Sequence, residues 1–69
     1  MERSQSQDRT LERIKEVRAQ ALEHARQARR LAIERRNLMQ ELIDGGWSQA
    51  DIAREIGVTR QAIQKMMSL

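Results

Sequence analysis

The chain has no cysteine and no proline, only three glycines, and a single aromatic residue, Trp47. Each shortage excludes something. Without cysteine there is no disulfide framework and no thiolate metal site, so nothing calls for an oxidising compartment and a cytoplasmic protein is expected. Without proline, and with glycine only at positions 45, 46 and 57, no strong helix breaker occurs before residue 45. No apolar run approaches the roughly eighteen residues of a membrane span. The opening segment MERSQSQDRT lacks the apolar core of a signal peptide, so the expectation is a soluble, non-exported chain with no membrane partner. Catalysis has little footing. The one histidine, His24, has no second His and no Cys near it, and a triad of His24, Ser48 and Asp51 would need a long helix to fold back onto its own end. No enzymatic activity, metal or cofactor is expected, and His24 reads as a surface or dimer-seam residue.

Charge and helix-forming residues are what the chain has in quantity. Its 69 residues carry 13 Lys or Arg against 10 Asp or Glu, a net +3. Residues 1–36 hold ten basic and six acidic side chains, a net +4, whereas residues 37–69 hold three and four, a net −1. Within residues 26–36 lie Arg26, Arg29, Arg30, Arg35 and Arg36, opposed only by Glu34. Such a run either neutralises phosphates in a salt-dependent way or keeps a long helix hydrated.

From about Asp8 to Asp44 the sequence is rich in Ala, Leu, Glu, Gln and Arg, all good helix formers. One helix of about 35 residues, roughly 50 Å long, is predicted. Ser4, Ser6, Asp8 or Thr10 is placed to cap its start, and Gly45-Gly46 ends it, because glycine takes a left-handed cap conformation without strain. The fold class is therefore all-α, in three parts: a frayed N-terminus over 1–9, a helical arm over 10–36, and a small helical unit over 31–69 that shares its first helix with the arm.

The stretch from Gln49 to Ser68, QADIAREIGVTRQAIQKMMS, is the most specific in the chain. Ala53 is small enough for a second helix to cross close above it. Ile52 and Ile56 share its apolar face, Gly57 stands where the turn needs positive φ, and Val58 follows to plug the corner. Ile63 and Met66 then return a second apolar face onto the first. At about 100° per residue, Arg60, Gln61, Gln64, Lys65 and Ser68 fall within one arc of roughly 140°. Ala62, Ile63, Met66 and Met67 occupy the opposite arc. A plain amphipathic hairpin would meet the glycine and apolar spacing too. The outer arc is what argues against that, since it carries Arg, Gln, Gln and Lys and no acid, a set suited to the donor and acceptor edges of the major groove.

This pattern resembles the helix-turn-helix of bacterial and phage DNA-binding proteins, the broad group that includes Cro-like repressors and the DNA-binding parts of sigma factors and resolvases. The resemblance spans about thirty-five residues once the helix from about Leu31 to Asp44 is counted. It implies double-stranded DNA as partner, with Arg60, Gln61 and Gln64 contacting bases and Lys65 contacting a base or a phosphate. Arg pairs bidentately with guanine and Gln with adenine, each good pair contributing about 1 to 3 kcal/mol of discrimination. Thr59 caps the recognition helix and also lies within reach of a phosphate. Ser48 with Asp51 reads as a capping box with Asp in place of Glu, and the helix start it caps suits a phosphate. In Cro-like proteins the residue matching Gln49 commonly contacts the backbone, which the resemblance extends to Gln49 here. Arg35 and Arg36, nearest this unit, complete the phosphate set. Trp47 is expected to staple the first helix to the second, with stacking on a base as the alternative. Resolvases carry a catalytic part that this chain lacks. Many Cro-like domains add helices after the recognition helix, so here the missing support is expected from the arm or from a second subunit.

The arm's apolar stripe runs Leu11, Ile14, Val17, Ala21, Ala25, Ala28, Leu31 with Ala32, then Leu38 and Leu42. Any strict heptad register puts Arg18 and Arg35, or His24 and Arg35, at core positions, which disfavours a parallel zipper. An alanine-rich middle allows close approach, and an antiparallel pair sets the large ends over the partner's small middle. Ile14, Val17, Ala21, Ala25, Ala28 and Leu31 are thus the expected dimer seam, crossing near Ala25 to Ala28. Recognition helices of two-fold dimers stand about 34 Å apart. Half of that, about 17 Å or eleven residues at 1.5 Å each, measured back from Leu38, puts the two-fold axis near residue 27. An arm folded back as a hairpin is the rival arrangement, but no turn sequence occurs between Leu11 and Arg36.

The expected function is sequence-specific binding of duplex DNA by an antiparallel homodimer, acting as a repressor or regulator by site occlusion, cytoplasmic and associated with the nucleoid, with no small-molecule ligand. Two alternatives stand beside it: an accessory DNA-binding factor in plasmid partition or recombination, and a helical protein adaptor or antitoxin.

Overall fold

The computed structural model describes residue 2 and residues 4–69, and the remaining two positions of the expected 1–9 segment lie outside the described residues. Three helices follow one another: α1 over Gln5–Asp44, α2 over Gln49–Ile56 and α3 over Arg60–Met67. The long helix is longer than the sequence suggests, at 40 residues, because its cap is Ser4. The Ser4 hydroxyl accepts from Gln7 N at 3.1 Å and the Gln7 side chain accepts from Ser4 N at 2.9 Å. This reciprocal capping box satisfies two backbone donors that would otherwise fray, so helix begins inside the segment expected to be frayed.

The other end of α1 is closed by the glycine pair. Gly46, at φ 104°, takes the left-handed position. Its N–H donates to Ile43 O at 3.0 Å, and Trp47 N donates to Leu42 O at 2.9 Å, the two bonds of a Schellman cap. The turn between α2 and α3 is built likewise. Gly57 sits at φ 76°, and Gly57 N and Val58 N both reach Ala53 O at 3.0 Å.

The core is small. Met39 from α1, Ile52 and Ala53 from α2 and Ile63 from α3 are buried, with Ile43, Met66 and Met67 packed against them. Two residues expected in it are not there. Ile56 is 52% exposed and Val58 is also exposed. The reason is that α3 makes the principal contacts with both other helices. The C-terminal end of α2 therefore stands clear of α1, and an open apolar groove remains between Ile52 and Ile56 on one side and Leu31, Leu38 and Leu42 on the other. Trp47 is also exposed and outside the core. It borders a shallow depression with Asp51, Arg54 and Glu55.

Beyond the head, α1 runs on alone. The molecule measures 65 × 18 × 18 Å, with a radius of gyration of 20.3 Å, against roughly 11 Å for a compact domain of this length. No helix among the described residues is long and apolar enough to cross a membrane.

Candidate nucleic-acid interface

The short helices α2 and α3 are each launched by a side-chain cap. The Ser48 hydroxyl accepts from Asp51 N at 3.0 Å while the Asp51 carboxylate accepts from Ser48 N at 2.8 Å. Thr59 Oγ1 accepts from Ala62 N at 3.0 Å. Both capping readings made from the sequence therefore describe the geometry. These caps fix where α3 begins, and so which residues point outward.

With Ile63 fully buried at 0% exposure, the opposite face of α3 must look out. Arg60, Gln61, Gln64 and Lys65 are all exposed. Among the described residues none of these four side chains, nor that of Arg35, makes a hydrogen bond or ion pair. The result is a convex strip of two cations and two amides with every donor and acceptor free. Arg35 and Lys65 also border one depression, together with Ala62, Met66 and Leu69, which brings two cations to the same edge of α3.

Near the start of α2, Gln49 is half-buried. The carboxyl of Asp51 is held below the usual carboxylate range, chiefly by the Ser48 backbone N–H, then by the Ser48 hydroxyl, with a smaller contribution from the Arg54 guanidinium. Arg54 pairs with it directly. The carboxylate is thus turned into the cap and away from the strip on α3.

Arg36 has a different setting from Arg35. It is half-buried, and its Nε donates to Met67 O at 3.1 Å. A cation at the C-terminal end of α3 meets the negative end of that helix's dipole. The arm thereby holds the C-terminal end of α3. The sequence offers no signal for this bond between residues 31 positions apart, since it depends on how the helices cross.

Residues 38–68 match the family model described as helix-turn-helix. The match begins in the last turns of α1 and runs to the end of α3, the three helices that build the core. This part of the chain is a DNA-binding helix-turn-helix of the Cro-like type. Neither the curated proteins nor the solved structures contain a match to the chain. Within the helix-turn-helix, the buried faces of α2 and α3 are those of Ile52, Ala53 and Ile63. The family is one of DNA-binding regulators.

Proposed function

We propose that the chain is a non-enzymatic, sequence-specific regulator that binds duplex DNA as a homodimer with antiparallel arms and represses by occupying a two-fold-symmetric site. The observation that carries this reading is the outer face of α3, where Arg60, Gln61, Gln64 and Lys65 stand exposed and unengaged. In it Arg60, Gln61 and Gln64 read base edges, with Lys65 at the rim. Gln49, the cap groups Ser48 and Thr59, and Arg35 meet phosphates. Arg36, tied to Met67, contributes to phosphate binding chiefly by holding α3 in place. Dimerisation uses the arm's seam of Ile14, Val17, Ala21, Ala25, Ala28 and Leu31, and the protein acts in the cytoplasm on the nucleoid.

The test is selection of duplexes from a random pool, followed by binding measured over a range of salt. The expected outcome is an inverted-repeat site and affinity that falls steeply as salt rises. Arg60→Ala and Gln61→Ala should each weaken the selected site by about 1 to 3 kcal/mol and leave random DNA nearly unaffected. Equal weakening on both kinds of DNA would remove base readout from α3, and no duplex binding at all would favour a protein adaptor.

A further inference from the structure

The groove between Leu31, Leu38 and Leu42 of α1 and Ile56 of α2 has no occupant in the protomer. We infer that it receives the N-terminal third of α1 from a second copy, so that the partner's Ile14 and Val17 supply a fourth helix to each reading head. This rests on the dimer part of the proposed function and specifies its surface and register.

The register follows from which residues the head has already used. Two heptad phases run along α1. One would seat Met39 and Ala32 in the seam, but Met39 is buried in the core of the head and Ala32 is half-buried. The other uses Leu31 and Leu38, which are 61% and 53% exposed. In this second phase an antiparallel pair centred at Arg26 sets Ile14 on the partner's Leu38, Val17 on Arg35, Ala21 on Leu31, and His24 on Ala28. Large side chains meet small or apolar ones in every layer. Arg35 lays its aliphatic stem on Val17 with its head free toward solvent. A parallel pair would stack Arg35 on Arg35 and His24 on His24. The first phase, even antiparallel, would oppose Arg18 to Arg35.

Charge and area agree. On the flank of this register Arg13 faces the partner's Glu41, an opposite-charge pair of the kind that sets orientation. The protomer exposes 6085 Å², whereas a compact monomer of its mass would expose roughly 4,500 Å². The excess is about twice the roughly 800 Å² per partner of a standard interface. The segment around Ile14 and Val17 forms a second apolar patch bordered by Arg9, Arg13 and Arg18. By two-fold symmetry one pairing covers both patches twice.

The chain has no cysteine, so introduced thiols report the register directly. Ile14→Cys with Leu38→Cys in one chain lie about 36 Å apart along the helix, too far to bridge within a protomer. Under mild oxidation this double variant should become a covalent dimer, while Leu38→Cys alone should not. Ile56→Glu, outside the arm, should raise the dimer dissociation constant at least tenfold by sedimentation. A dimer that fails to cross-link in the double variant, or that cross-links through Leu38→Cys alone, overturns the register. An unchanged dissociation constant for Ile56→Glu removes α2 from the interface. A wild-type monomer at all concentrations ends both this inference and the dimer in the proposed function. A dimer that cross-links as expected yet ignores duplex DNA supports the inference and sinks only the DNA reading.

Discussion

At single positions, the turn glycines and the caps are where one atom decides the outcome. A Cβ at Gly57 would meet nothing within 4 Å, yet its φ of 76° is one that side-chain-bearing residues adopt at a cost of about 1 to 2 kcal/mol. Gly57→Ala should therefore lower stability by about that amount through backbone strain alone, seen as a reduced melting temperature with the helical spectrum kept. Gly45→Ala is the control. Its φ is −82° and the added Cβ lies 3.4 Å from two carbonyl oxygens, so the change should be much smaller. Ser48→Ala removes a cap and should cost about 1 kcal/mol. The same variant should let the Asp51 carboxyl return only part of the way toward the ordinary aspartate range, because it removes the contribution of the hydroxyl and keeps the larger one from the backbone N–H. The sign follows from that depression. A carboxyl whose folded pKa lies below its unfolded value stabilises the fold above the unfolded pKa, near 3.9, and loses that contribution as pH falls through the folded value. Acid titration of the Asp51 carboxyl by NMR, in the wild type and in Ser48→Ala, reads this directly.

At the level of elements, the helices differ in what holds them. The arm is kept helical by its composition and by the capping box at Ser4, with exposed ion pairs such as Arg13–Glu16 and Lys15–Glu12 at 3.1 and 3.0 Å adding a few tenths of a kcal/mol each. Helices of eight residues do not persist alone, so α2 and α3 exist because Ile52, Ala53 and Ile63 are buried. Ile63→Ala should cost about 2 to 5 kcal/mol, melting the head in a thermal scan while much of the arm's helical signal remains. This contrast also explains what was legible in the sequence. The three helices, the left-handed glycine at 57, and the caps at Ser48 and Thr59 depend on residues within four positions of one another, and these could be read directly. The exposed strip on α3 followed from periodicity once Ile63 was placed inside. Ile56 and Val58 were misplaced because their exposure depends on how far α2 stands from α1. That distance is set by α3 packing against both helices and leaves no trace in local spacing. The bond from Arg36 to Met67 was missed for the same reason.

For the whole molecule, size and shape set the terms. Four buried side chains among the described residues are few for a stable domain, and chains of this length are commonly marginal unless something staples them. Here there is no disulfide to do so. If the partner's arm completes each head, folding and association are one equilibrium, and the melting temperature must depend on protein concentration. A monomeric fold would melt at the same temperature over any dilution. The expected result is a melting temperature that rises steadily over a thousandfold increase in concentration, monitored at the helical band, and that loses most of this dependence in Ile14→Glu. That variant places a carboxylate at a position 55% exposed in the protomer, where it costs an isolated chain little. A large effect on the concentration dependence can therefore only come from a surface that the protomer buries against another copy. Added duplex carrying a selected two-fold site should raise the transition further, since ligand that binds only the folded dimer shifts the same equilibrium.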